Sequence, residues 1–308
     1  MSLVTRHPDY ETIHRCLGHI SDEAMRHISD NIEGAEKICF SNKKHICHGC
    51  TLGKLHQRSF PENPKRSSET LGLIHSDLLE LPTLSYSKYK WVITFLDDYS
   101  SYCRVAFLHK KSDTAKAIKA VFQLWSNTTS HSVKCLHTNN GGEYMTLELQ
   151  FFLCKQGIVH KTSTSYVYQQ NDQAEQLNQT LLEKAQFMQL KACLPDSWWE
   201  FAFATNTYVY NYTPIKCCKW KTPQEIFTGE EPKISHLCVF GCRAYMYLPN
   251  EVHANKLILC SELMIFIGYE DNSYRFIHHT QGNVIFHSTQ AIFDKGYFSK
   301  CLSSHSTW

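Results

Sequence analysis

"CLHTNNGGEY", residues 135–144, is the stretch on which the reading of this chain turns. Val133 to Leu136, apolar except for Lys134, reads as a short buried strand, and it leads into two asparagines, a Gly-Gly turn and Glu143. The position just past such a strand suits a carboxylate that holds a metal ion, yet residue 139 is an asparagine. What stands on either side decides whether that position belongs to an active site.

Outward from it, strands and helices alternate. "LGLIHSDLLEL" (71–81), "YKWVITFLDDYS" (89–100) and "YCRVAFLHK" (102–110) read as three strands joined by short connections. "SDTAKAIKAVFQLWSN" reads as a helix with Ser112 as its N-cap. After the fourth strand, "LELQFFLCKQG" is a helix closed by Gly157, and "IVHKTS" a fifth strand. A long helix from about Gln173 to Ala192 carries its apolar stripe on Leu177, Leu181, Ala185 and Met188. Three meandering strands followed by alternating elements predict an α/β unit over residues 70–232 with a mixed five-stranded sheet. From 237 to about 300, short strands such as "LMIFIGYE" and "VIFHSTQAIF" predict a small all-β module.

Ahead of the α/β unit, residues 61–69 are Pro- and Ser-rich and read as a linker, and residues 1–60 are rich in His and Cys. There "HRCLGH" sets His14 and His19 five apart, and "CHGC" sets Cys47 and Cys50 in a CxxC pair. This H-x4-H…C-x2-C set has the donor types and number of a closed tetrahedral Zn2+ site, and so short a segment needs such a staple. His7, His27, His45 and His48 read as bystanders.

The 308 residues are 43% hydrophobic and 19% charged, which is an ordinary globular composition. No apolar run is long enough for a membrane span, and "MSLVTRHPDY" lacks a signal-peptide core, so an intracellular protein, nuclear or cytoplasmic, is expected. Fourteen cysteines there read as thiols or metal ligands, not as a disulfide framework. Net charge is only +2, so any nucleic-acid surface must be local. Lys54 and Arg58, in a basic stretch from Lys37 to Arg66, are candidates for it, with Asn178 and Lys184 on the long helix.

Acidic residues fall at informative places: Asp77 inside the first strand and Glu175 in the first turn of the long helix. Phosphoryl transfer by two divalent cations requires carboxylates that converge from separate elements, which two strand ends and a helix start can supply.

Taken together, these motifs resemble the integrases of Ty1/copia-type retrotransposons over nearly the whole chain. "IHRCLGH" and "CHGCTLGK" resemble the family's HHCC pre-integrase zinc domain. "IHSDLLEL", "LHTNNGGEY" and "YQQNDQAEQLNQTL" are similar to the three motifs of its RNase H-like catalytic core, which carries a D,D-35-E triad. Thirty-five residues separate Asn139 from Glu175. "VFGCRAYMYLP" and "KLILCSELMIFIGYE" resemble the family's SH3-like module. The resemblance implies Asp77, residue 139 and Glu175 as the catalytic set, and Mg2+ or Mn2+ as cofactor. It also implies DNA ends and target DNA as partners, action as a homo-oligomer, and a place in a Gag-Pol polyprotein beside protease and reverse transcriptase. Asp97 and Asp98, in the "DDYS" turn, are expected to be structural.

Most departures from the family pattern share a direction, though Ser101, usually Arg, and Tyr168, usually Pro, do not. Asn139 stands where the family has Asp, and Cys16, His137, Gln176, Gln179 and Cys238 stand where it has Arg. An asparagine offers one neutral oxygen in place of an anion, so loss of joining activity is expected. A non-catalytic module co-opted for binding, or a decayed relic, is the alternative. Arg codons turn into Cys, His or Gln codons by single C-to-T changes at CpG sites, which suggests decay of a silenced copy. That hypothesis fails if a consensus of sibling copies also carries Cys16, Gln176 and Asn139.

Overall fold

The computed structural model describes residues 66–163, 172–247, 260–270, 273–278 and 284–298. The chain divides into two compact units, Met1–Glu62 and Asn63–Trp308, and the described residues all belong to the second. His14, His19, Cys47, Cys50, Lys54 and Arg58 therefore lie outside the described residues.

The first sheet contains β1 (Ile74–Glu80), β2 (Trp91–Asp97), β3 (Cys103–Leu108), β4 (Cys135–Thr138) and β5 (Val159–Thr162). Its order is β3-β2-β1-β4-β5, with the first three strands antiparallel and β1-β4-β5 parallel. The parallel pairs need crossovers, which α1 (Thr114–Thr129) and α2 (Leu147–Gln156) provide. Next along the chain come α3 (Asp172–Ala192), α4 (Trp199–Asn211) and α5 (Pro223–Thr228). This is the mixed five-stranded architecture expected for residues 70–232.

Both faces of the sheet are covered, as parallel strands require. Alternation along β2 shows it: Ile93 and Phe95 enter a core with Ile118, Phe122 and Trp125 of α1 and Leu149 of α2. Val92 and Leu96 enter the opposite core with Leu177, Leu181 and Ala185 of α3 and Phe203 of α4.

Local signals are mostly obeyed. Gly157 closes α2 at φ +69°, and the Thr146 side chain caps its start by accepting from Leu149 N. Ser112 does not cap α1. It sits in a preceding 3-10 turn, and Asp113 is the N-cap without a side-chain bond. The sequence pattern gives no warning of α4.

The all-β module is a second five-stranded sheet of β6 (Cys242–Tyr247), β7 (Ser261–Glu270), β8 (Ser273–His278), β9 (Ile285–Ser288) and β10 (Ala291–Phe298), ordered β10-β6-β7-β8-β9. It does not stand apart from the α/β unit. Ile265, Ile267 and Ile277 complete the core that α3 and α4 build. Gly241, at φ +77°, lets the chain enter β6 against Ala192, where an added Cβ would come within 2.2 Å of that side chain. No helix among the described residues is long and apolar enough to cross a membrane, and the nine cysteines described are free thiols.

Candidate active site

β1 sends Ile74 into the α1/α2 core, so His75 and Asp77 face α3. β4 pairs parallel to it with His75 opposite His137. Continuing that register by two residues sets Asn139 beside Asp77. The side chains meet there: Asn139 Nδ2 donates to Asp77 Oδ1 at 3.1 Å. Asn139 Oδ1 turns back to accept from the Gly141 N–H at 3.0 Å, which closes the turn after the strand. Because an ionised carboxylate only accepts, the amide nitrogen must be the atom that faces Asp77.

The other oxygen of Asp77 is taken by α3. Asn178 Nδ2 donates to Asp77 Oδ2 at 2.9 Å, and Asn178 is only 5% exposed. Expected at the nucleic-acid surface, Asn178 is instead part of the scaffold that holds the first carboxylate. Glu175 lies three residues earlier, on the same helix face and one turn closer to the helix start, and is exposed. The helix thus sets Glu175 one turn before the Asn178 amide that holds Asp77. Lys184 is exposed further along the same helix.

Burial raises the Asp77 carboxyl above its ordinary range. The Leu78 N–H and the Asn178 amide oppose that rise, and the charge of Glu143 adds to it. Glu143 comes back over the Gly-Gly turn: an added Cβ on Gly141 would lie 2.6 Å from its Oε1 and 2.9 Å from Asn139 Oδ1. Sequence alone misses this approach, because there Glu143 reads as the far side of a turn.

Below Asp77 lies a polar stack that sequence reasoning also misses. His75 Nε2 donates to Asp98 Oδ1 at 3.2 Å, and His75 Nδ1 lies 3.3 Å from His137 Nδ1. Burial first, then His75, Lys161 and His160, push His137 down to about 4, so it is neutral at physiological pH. The available signal is spacing: His75 and His137 each sit two residues before a site position on the same strand face.

Asp97 and Asp98 serve the turn. Asp97 Oδ1 accepts from Leu71 N at 2.8 Å and its Oδ2 from Ser100 N at 2.9 Å. Asp98 binds His75 and the Ser67 N–H. Among the described residues, no group of three or more His, Cys, Asp or Glu side chains is placed to hold a metal ion.

Comparison with known proteins gives two family matches: integrase core domain over residues 68–167, and retroviral polymerase SH3-like domain over residues 242–306. Among relatives, the retrovirus-related Pol polyprotein from transposon TNT 1-94 of Nicotiana tabacum is 32% identical over 273 residues, covering 85% of this chain and 20% of that protein. The transposon Ty1-DR4 Gag-Pol polyprotein of Saccharomyces cerevisiae is 25% identical over 223 residues, covering 67% of this chain and 14% of that one. The chain thus spans a fifth or less of the length of these relatives. Among solved structures, the simian T-cell lymphotropic virus intasome in complex with PP2A regulatory subunit B56 gamma has a similar fold. Its TM-score is 0.51 at 14% identity, over 89% of this chain and 94% of that one.

Proposed function

Because the chain carries an integrase core domain and a retroviral polymerase SH3-like domain, with Pol polyproteins of Ty1/copia-type transposons as its homologues, we propose that it is the integrase region of such a polyprotein. In that reading it binds DNA ends and target DNA as a multimer, and its ancestral chemistry is 3′-end processing and strand transfer. That chemistry is crippled at residue 139.

One observation carries the loss of chemistry. At residue 139 the group that faces Asp77 is a hydrogen-bond donor and not a second anion. Both Asp77 oxygens are engaged by amides, and the Asn139 oxygen is engaged by Gly141. Two divalent cations about 4 Å apart need converging negative charge to offset their mutual repulsion. These residues do not fit a two-metal centre of Mg2+ or Mn2+.

The test is Asn139→Asp in the full chain with Mn2+ or Mg2+ and a donor DNA end. The unmodified chain is expected to process and join no ends, and the Asp variant to bind Mn2+ roughly tenfold more tightly or better. Joining by the unmodified chain would refute the reading. A folded but inert Asn139→Asp chain would mean that damage extends past this residue.

DNA contact in this reading is weakened on the exposed face of α3. Gln176 and Gln179 lie there, and Gln179 donates to Glu183 at 2.9 Å. Restoring Arg at each should steepen the fall of log K with log salt by about 0.9 per residue if that face meets phosphate. An unchanged slope would remove it from the DNA surface. At the other end of the chain, His14, His19, Cys47 and Cys50 are proposed to hold one structural zinc, on their spacing alone. Elemental analysis of the purified chain should find about one zinc, lost in Cys47→Ser.

A further inference from the structure

On the far side of the "DDYS" turn, two adjacent thiols and a guanidinium meet away from Asp77. Lys216–Cys218 is a 3-10 turn that presents Cys217 to solvent and buries Cys218. Cys217 Sγ lies 3.7 Å from Ser101 Oγ, and Cys218 Sγ lies 3.5 Å from the same oxygen and 3.4 Å from Ser100 O. Arg66 is fixed across them: Nε donates to Asp98 O at 2.8 Å, Nη2 to Ser101 Oγ at 2.6 Å and Nη1 to Cys217 O at 3.3 Å.

The two sulfurs have unlike surroundings. The Cys218 thiol has one hydrogen and two oxygens within reach, the Ser100 carbonyl, which can only accept, and Ser101 Oγ. Exposed Cys217 shares Ser101 Oγ with the Arg66 guanidinium, so a permanent cation stands close to it, the environment that favours thiolate. Burial acts to raise Cys217, but the Ser101 hydroxyl and Arg66 outweigh it and hold this thiol below its ordinary value. Burial lifts Cys218 above it. A cavity of about 300 Å3 opens beside Cys217, lined by Arg66, Ser101, Gln173, Gln176 and Thr180 among others.

We propose that Cys217 is a site of thiol–disulfide exchange that takes low-molecular-weight disulfides from solution, with Arg66 and Ser101 as the groups that hold its sulfur ready. In the step, Cys217 thiolate attacks one sulfur of a disulfide R–S–S–R. A new Cys217–S bond forms, the old S–S bond breaks, and the second sulfur leaves as a thiolate that takes a proton from water. The added group would occupy the cavity against Gln173, Gln176 and Thr180, on the helix that carries Glu175 and Asn178. The inference does not rest on the integration reading, because it uses no residue of the Asp77 site.

The test exposes the full chain to glutathione disulfide at pH 7, then quenches by alkylation and maps the modified peptides over time. Cys217 is expected to react about tenfold faster than the exposed Cys154 and Cys193, as a thiolate beside a cation should. Arg66→Gln is expected to slow it to the rate of those two. Arg66 also ties the turn, so Ser101→Gly is the second variant: it removes the hydroxyl at a residue whose φ of +58° suits glycine. It should also slow Cys217, with the circular dichroism spectrum unchanged. The proposal is overturned if Cys217 reacts no faster than Cys154, or if a folded variant keeps the parent rate.

Discussion

Asp98 shows how much one buried carboxylate can hold. It is 2% exposed, and it joins the chain entering the α/β unit, through Ser67, to β1, through His75. Burial acts to raise its carboxyl, but the His75 ring, the Ser67 N–H and the Arg66 charge outweigh that and hold it below the ordinary 3.8. A carboxyl depressed in the folded state adds stability above its unfolded pKa and loses it as pH falls through the folded value. Asp98→Asn should therefore cost about 1–3 kcal/mol near neutral pH, with the difference from the parent shrinking as pH falls below 4. Denaturant titrations at pH 7 and pH 3 would measure it, and a pH-independent difference would exclude the ionic account. That position 77 lies within a strand and position 139 just past another could be read from the strand pattern, whereas the 35-residue distance to Glu175 carries meaning only through the family resemblance. The part played by Asn178 could not be read, since a polar residue on a helix shows its role only when the strand packed across from it is known.

At the scale of elements, α4 is the least visible in the sequence and among the most deeply set. "WEFAFATNTYVYN" has no polar face to define a 3.6-residue stripe, and aromatic and β-branched residues argue for a strand. It is a helix because it is buried nearly all round, including Phe201, Ala202, Phe203, Thr205, Asn206 and Thr207. Its last residue finishes the edge of the first sheet. Asn211 Oδ1 accepts from Cys103 N at 2.9 Å and its Nδ2 donates to Cys103 O at 2.8 Å, as a neighbouring strand would. Asn211→Ala strands two buried backbone groups and should cost about 2–4 kcal/mol by chemical denaturation. A loss under 1 kcal/mol would mean that water replaces the amide.

For the whole described unit, the decisive feature is that the two sheets share one core. Leu177 and Leu181 of α3, Phe203 of α4, and Ile265, Ile267 and Ile277 of the all-β module are one apolar cluster. Calorimetry of the chain should accordingly show α/β unit and β module melting in a single transition, and two separated transitions would contradict it. Gly241→Ala, which forces a side chain onto Ala192 at a positive φ, should lower that one transition as a whole. The two modules were legible as separate patterns because their strand and helix periods differ. Their union was not, since Ile265 and Leu181 have nothing in their own neighbourhoods to show that they touch. The shared wall also bears on heredity. Recombination between element copies that exchanged one module without the other would join two apolar surfaces with no history of fitting each other. The span from β1 to β10 should therefore descend as one block, and crossovers preserved among related copies should fall outside it.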